Sequence, residues 1–265
     1  MKRAVFLHFK IQYMKIIISP AKTLDFETKA TTEVFTQPRF LDQSEKLNKK
    51  LKTLSRKKLA ELMKISQPLA DMNYHRNQDW QKEFDLSTAK QAVFAFTGEV
   101  YRGIDVMSLP SELHDQMQDK LRILSGLYGI LKPLDLMLPY RLEMGTRLKV
   151  GRSDNLYKFW GDTLANSLNE EMQEGELFVN LASSEYFKAV PKKTLKVPMI
   201  TPVFKELKNG EYKVIMTFAK KARGLMVRYI LDHQVETVEG LKGFNYEGYG
   251  FSAALSSENE LVFTR

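Results

Sequence analysis

The run Lys15-Ile16-Ile17-Ile18-Ser19-Pro20 constrains the fold more than any other stretch of the chain. Three consecutive isoleucines give no alternation of apolar and polar side chains, so the strand they form reads as buried. Pro20 ends it, because proline brings no N–H to a sheet ladder. Further along, Leu41 to Leu54 carries leucines at helical spacing. Ser55 and Ser66 stand where they would cap two more helices, the second running towards Trp80. Val93 to Phe96 reads as a strand closed by Thr97-Gly98, and Pro110 to Leu121 as a helix leading into a strand end at Arg122–Ser125. Asp154 is expected to cap a helix from Leu156 to about Met172. Leu177 to Leu181 reads as a strand, and Ser183 or Ser184 as the cap of a short helix to Val190. Asn209-Gly210 marks a hairpin between Pro198–Leu207 and Glu211–Ala219. A helix from Lys220 to His233 and a last strand at Glu260–Phe263 complete the pattern. Strands alternating with helices, plus one hairpin, imply an α/β fold: a mixed β-sheet surrounded by many helices. No linker or repeat divides the chain, so residues 14–265 are expected to form a single compact domain. Residues 1–13 have a basic start and a short apolar stretch without a small-residue cleavage site, and they read as an upstream extension.

Composition narrows the chemistry. Of 265 residues, 43% are apolar and 27% charged, an ordinary globular balance. There is no cysteine, which excludes disulfides, thiolate metal sites, iron–sulfur clusters and thiol peroxidase chemistry. It also fits a reducing cytoplasm. No apolar run approaches the ~20 residues of a membrane helix, so no membrane role is expected. Ser19-Pro20-Ala21-Lys22-Thr23 matches neither glycine-rich phosphate loop, and a standard nucleotide-binding fold is not supported.

The formal charge of +8 is unevenly placed. Between Lys46 and Lys64 lie eight basic residues and one acid, Glu61. This is either a solvated helical face or a surface that tracks phosphates. A second group, Lys220, Lys221, Arg223 and Arg228, surrounds Gly224. Glycine in a helix leaves a notch there, open to a phosphate or to a neighbouring backbone. A third group, Arg122, Lys132, Arg141, Arg147 and Arg152, flanks a stretch punctuated by glycine and proline. Within it, Leu124-Ser125-Gly126-Leu127-Tyr128-Gly129-Ile130-Leu131 is similar to the hairpin of a helix-hairpin-helix motif, although its glycines are one residue further apart; an ordinary tight turn fits equally well.

Of the four histidines, His8, His75, His114 and His233, three are isolated and His75 has only Asp79 four residues on; a metal site needs three or four convergent ligands, and no metal site or cofactor is expected. Polar and aromatic groups cluster elsewhere. Tyr140, Arg141 and Glu143 share one segment, Trp160 follows, and Asn180, Ser183 and Glu185 sit where a strand gives way to a helix. Asn245 and Glu247 lie in an aromatic stretch near the C-terminus. With Ser19, Lys22 and Thr23 these residues would line one cleft. The alternative for each is a cap or buried polar network, with Arg141 and Glu143 as a structural ion pair.

Six stretches in order resemble the YaaA family of peroxide stress proteins, also called DUF328/UPF0246. They are Ile18–Leu24; Leu124–Gly129 continuing to Lys132–Asp135 and Pro139–Gly145; Phe159–Asp162; Asn180–Ser183; Ala219–Met226; and Gly243–Asn245 with Glu247–Tyr249. The resemblance implies a cytoplasmic bacterial protein that protects DNA during hydrogen peroxide stress and is associated with low free iron. It implies binding of double-stranded or distorted DNA by a basic cleft and a helix-hairpin-helix-like element. Carried onto this chain, the hairpin is Ser125 to Leu131, including Gly126, Tyr128 and Gly129, and the cleft includes Lys22, Arg141, Lys220, Lys221 and Arg223. A monomer is expected. Lacking cysteine and haem or iron ligands, the chain suits shielding DNA better than destroying peroxide. The competing reading is a hydrolase acting on a nucleotide, nucleobase or damaged base, with Glu143 or Glu185 as acid or base and Tyr140 as a stacking or hydrogen-bonding group. A third is an iron protein using carboxylates.

Overall fold

Every residue of strand β1 (Met14–Ile18) is buried, and Met14, Ile16, Ile17 and Ile18 have no exposed surface at all. Lys15 belongs to it too, and its Nζ reaches the Asp119 carboxylate at 2.9 Å. Such burial requires neighbours on both edges and cover on both faces. The computed structural model, which describes residues 14–265, supplies both; the reading of residues 1–13 as an extension lies outside the described residues.

After β1 come β2 (Thr23–Leu24) and a helical group, α1 (Leu41–Lys52), α2 (Arg56–Met63) and α3 (Gln67–Asp79). β3 (Lys90–Gln91), α4 (Ala92–Ala95), β4 (Phe96–Thr97), α5 (Glu99–Ile104) and α6 (His114–Lys120) follow. β5 (Leu121–Ser125) turns back into β6 (Gly129–Leu131), and then come β7 (Leu136–Met137), α7 (Leu156–Trp160) and α8 (Thr163–Glu171). The last third holds β8 (Leu177–Leu181), α9 (Ser184–Phe187), β9 (Met199–Lys208), β10 (Glu211–Lys213), α10 (Met216–Asp232), α11 (Val238–Lys242), β11 (Gly250–Phe251) and β12 (Glu260–Thr264).

The main sheet runs β11-β12-β9-β8-β1-β5-β6, with β10 paired to β9. β12, β9, β8, β1 and β5 are parallel; β11, β10 and β6 join antiparallel. The fold is therefore the expected single α/β domain with a mixed sheet among helices. Among the described residues no helix is long and apolar enough to cross a membrane.

β1 and β8 are adjacent, yet the chain leaves them in opposite directions. From β1 it passes to β5 on one side, and from β8 it passes through α9 to β9 on the other. The carboxyl ends of β1 and β8 thus flank a topological switch point, where open α/β sheets present a crevice.

Local signals and structure agree where a side chain has one role. Ser55 caps α2 by accepting from the Lys58 N–H at 3.4 Å. Asn209, at φ 55°, and Gly210 turn β9 into β10. The departures have physical causes. Val93–Phe96 was expected as a strand, but Ala92–Ala95 forms a turn of helix and only Phe96 enters a strand. All four helical residues are buried, and a short apolar run carries no period that separates the two states. The helix expected from Leu156 to Met172 is broken at Gly161 (φ 49°) into α7 and α8. Asn155, not Asp154, caps α7, accepting from the Lys158 N–H at 2.9 Å, while Asp154 pairs with the Lys158 ammonium. The second hairpin arm ends at Lys213, and α10 begins at Met216 rather than Lys220.

The Gly224 notch is filled by backbone. A Cβ at Gly224 would lie 1.8 Å from the Val100 carbonyl oxygen, and one at Gly103 would lie 2.3 Å from the Lys221 carbonyl oxygen. α5 and α10 therefore meet glycine to glycine, and this side of α10 is not a free basic face. Gly224→Ala must push the helices apart, at a cost of about 3 kcal/mol. Urea denaturation will read that loss directly, with Lys220→Ala on the exposed side changing stability by less than about 0.5 kcal/mol. An unchanged midpoint for Gly224→Ala would return the notch to a ligand.

Candidate functional site

At the switch point the chain ends of β1 and β8 are tied together. The Ser183 N–H donates to Ser19 Oγ at 2.8 Å, and the Ser19 hydroxyl donates to Ser183 Oγ at 3.1 Å. The Tyr101 hydroxyl donates to the Ser19 carbonyl at 3.2 Å. Asn180 is buried at the end of β8, where its Oδ1 accepts from the Ala182 N–H at 3.1 Å and fixes the turn out of the strand. Thr23 Oγ1 donates to the Thr97 carbonyl across the β2–β4 ladder.

Three residues after Ser19, Lys22 extends to Glu143, its Nζ 2.8 Å from Oε2. Arg141 Nη2 approaches the other oxygen, Oε1, at 2.9 Å. One carboxylate thus holds two cations from segments more than a hundred residues apart. Glu185 stands beside them; its Oε1 accepts from the Gly145 N–H at 2.9 Å. A side chain at Gly145 would crowd this bond, since its Cβ would lie 3.0 Å from that oxygen. Glu143 and Glu185 line a cleft of about 560 Å³ with Gly145, Thr146 and Arg147. The cleft's other wall is the last turn of α2, Glu61 to Met63, and Lys64 after it. This volume lies within the roughly 300–1,000 Å³ of small-molecule sites.

Three tyrosines, Tyr101, Tyr140 and Tyr186, sit close together near these carboxylates. Burial pushes all three phenols upward, and Tyr186 is raised further by the nearby tyrosine and the charges of Glu185 and Glu143. They are neutral donors at any physiological pH.

Several expected site residues are structural instead. Ser125 to Leu131 joins two antiparallel strands, not two helices, and its turn is buried. A Cβ at Gly126 would lie 2.1 Å from the Leu142 carbonyl oxygen, and one at Gly129 2.8 Å from the Trp160 ring. The glycines admit protein, and Ser125, Gly126, Tyr128 and Gly129 belong to a buried β-hairpin instead of a hairpin between two helices. Trp160 is buried and donates to the Gly126 carbonyl at 3.2 Å. The Tyr128 hydroxyl accepts from Trp80 Nε1 at 2.9 Å and from the Leu138 N–H at 3.0 Å. Tyr140 lies 2.6 Å from Ser125 Oγ, which also accepts from the Tyr128 N–H. These groups form a core network beneath the cleft instead of lining it.

The basic groups divide similarly. Arg122 is buried and pairs with Glu171. Lys221 pairs with Glu247 at 2.5 Å, and Glu247 continues to Arg265 and Glu206. The Lys221 ammonium is the main reason that Glu247 titrates below the usual glutamate range. Among the described residues no hydrogen bond or ion pair joins this network to Glu143. Lys220 and Asn245 are exposed, and Arg223 is half-buried. Burial lowers the Arg223 guanidinium from its ordinary value.

By contrast, six cations of the Lys46–Lys64 run have no ion pair among the described residues: Lys46, Lys50, Lys52, Lys57, Lys58 and Lys64. Lys57, Lys58 and Lys64 are exposed. Sequence reasoning missed Arg76, in the last turn of α3. Burial lowers its pKa first, and the charge of Arg141 lowers it further. No local pattern marks it; only the packing of α3 brings it within range of Arg141. No three histidines or carboxylates converge among the described residues as a metal site would need.

Removing the Tyr140 hydroxyl leaves Ser125 Oγ with one partner fewer in a dry site. Tyr140→Phe is expected to cost about 1–2 kcal/mol of stability in chemical denaturation. It should leave ligand binding in the cleft unchanged. A stable variant that no longer binds would place the phenol in the site after all.

Comparison with known proteins identifies relatives over most of the chain. The family model described as "Peroxide stress protein YaaA" matches residues 14–255. A UPF0246 protein of Flavobacterium johnsoniae is 58% identical over 252 residues, covering 95% of this chain and 100% of the relative. UPF0246 proteins of Shewanella pealeana and Hahella chejuensis are 54% and 52% identical over 254 residues, each covering 95% of this chain and 99% of the relative. The chain belongs to the YaaA/UPF0246 family of peroxide stress proteins.

Proposed function

We propose that this protein acts in the cytoplasm as a monomer that binds double-stranded or distorted DNA and shields it from peroxide and iron. The observation that carries the reading is the continuity between charge and cleft. The exposed cations of α2 run up to Lys64, and the same turn of helix forms one wall of the cleft that holds Glu143 and Glu185. Lysines on such a surface neutralise phosphates without reading sequence, and they release condensed counterions. The cleft beside them is acidic, with Glu61, Glu143 and Glu185 against Lys64 and Arg147. Its acids suit the polar edge of a single unstacked base, while the backbone stays on the lysines. Shielding of this kind accords with low free iron, since less iron at the phosphates means less radical chemistry there.

Fluorescence anisotropy with a DNA duplex tests it. Affinity should fall steeply between about 50 and 200 mM salt. Lys57→Glu with Lys58→Glu should weaken binding uniformly across sequences and flatten the salt slope by about 1 per cation lost. Equal affinity at both salt concentrations rules the reading out.

A second reading, an enzyme acting on a nucleotide, nucleobase or damaged base, is favoured by a separate observation. Glu185 follows the carboxyl end of β8 at the switch point, oriented by the Gly145 N–H and open to the cleft. Glu185→Gln keeps that hydrogen bond and removes the charge. The variant should fold normally and lose any turnover of nucleosides or damaged bases. If no nucleotide, nucleoside or base shifts the melting temperature of the wild-type protein, this second reading fails.

A further inference from the structure

Glu143 accepts from Lys22 through one oxygen and from Arg141 through the other. Around it the charges do not balance. Two cations share this one carboxylate. The Nε of Arg141 is buried and has no acceptor. An arginine used only as a structural partner of Glu143 would be expected to bring that N–H to an oxygen, because a buried donor left unmade is costly. The Lys22 side chain is 63% exposed, and an ion pair so open to water contributes little and exchanges readily. Glu143 opens a turn, its carbonyl accepting from the Thr146 N–H, and also lines the cleft, so its side chain has open volume into which to turn.

We propose that Lys22 and Arg141 form a receptor for a phosphate monoester, in which Glu143 is an internal counter-ion that the phosphate displaces into the cleft. A carboxylate offers two oxygens and one charge. A monoester offers three oxygens and nearly two charges at neutral pH, enough to meet Arg141 through two N–H groups and to hold Lys22 as well. A phosphodiester inside a strand carries a single charge and is a poorer exchange for Glu143. The receptor therefore selects a phosphorylated end, or a free nucleotide, over continuous backbone. Lys57 and Lys58 would do the opposite, since they meet any phosphate alike. The inference rests on the cleft reading above and specifies what the cleft takes.

The test compares oligonucleotides of one sequence carrying a 5′-phosphate or a 5′-hydroxyl, together with inorganic phosphate, thymidine 5′-monophosphate and thymidine. The wild-type protein should prefer the phosphorylated strand, and the monophosphate over the nucleoside, by about tenfold. Glu143→Gln, which keeps the oxygen that Arg141 reaches, should tighten inorganic phosphate by about tenfold. Glu61→Gln makes the same charge change in the same cleft and should tighten it less than about twofold. Arg141→Lys should lose the preference for the phosphorylated strand. Equal binding of phosphorylated and hydroxyl strands by the wild-type protein overturns the proposal without recourse to any variant. Equal gains from Glu143→Gln and Glu61→Gln also overturn it, since they would mean a general field and no displaced counter-ion. If duplex binding fails its salt test while inorganic phosphate still responds to Glu143→Gln, the receptor stands and the DNA reading falls. If duplex binding persists and no monoester is preferred, the reverse holds.

Discussion

The complete burial of β1 is the constraint on which the rest of the molecule depends. A strand with no exposed side chain must be flanked on both edges, and here β8 and β5 run parallel to it on either side. Parallel neighbours need long crossovers, so helices cover both faces. Polar chemistry is then pushed out of the middle of the sheet and collected where β1 and β8 end. Ser19 and Ser183 mark that point by bonding to each other. Lys22 and Glu185 follow them within a few residues; Glu185 lines the cleft, and Lys22 reaches the cleft residue Glu143.

Charge is organised on a different principle from burial. The basic residues that look alike in sequence fall into two populations. Arg122, Lys221 and Arg265 are held by carboxylates of neighbouring elements and stabilise the joints between them. Lys57, Lys58 and Lys64 are exposed and unpaired among the described residues, and these remain available to a partner. Lys22 and Arg141 are intermediate, paired through a single shared acid. A cation's usefulness to a ligand depends on what else would pair with it, and net charge does not reveal that.

This separates what was legible in the sequence from what was not. The isoleucine run, the Ser55 cap and the Asn209-Gly210 turn each rest on one local rule, and each appears in the structure. Val93–Phe96 was misread because four apolar residues satisfy a buried strand and a buried helical turn equally. Ser125 and Tyr128 were assigned to a phosphate-facing hairpin and Tyr140 and Trp160 to a cleft, whereas the four share one buried network. Their hydrogen-bonding atoms point at one another and not at a ligand. The glycines among them looked like openings for a phosphate, and their space is taken by the Leu142 carbonyl and an indole ring. The ordinary tight turn, the other reading of this stretch, is what the β5–β6 connection forms. Arg76 was missed because its significance comes wholly from the docking of α3 beside Arg141.

The buried network beneath the cleft also accounts for the cations above it. Tyr101, Tyr140 and Tyr186 make a dry layer in which phenols remain protonated. A carboxylate beside such a layer loses hydration on that side, and electrostatic attraction acts at shorter screening than on an open surface. Glu143 is stable there because Lys22 and Arg141 approach from two directions. The same low-dielectric surroundings make the spare Arg141 N–H unfavourable as it stands. Under the displaced counter-ion proposal, a phosphate would supply the acceptor that Arg141 Nε lacks within the protein.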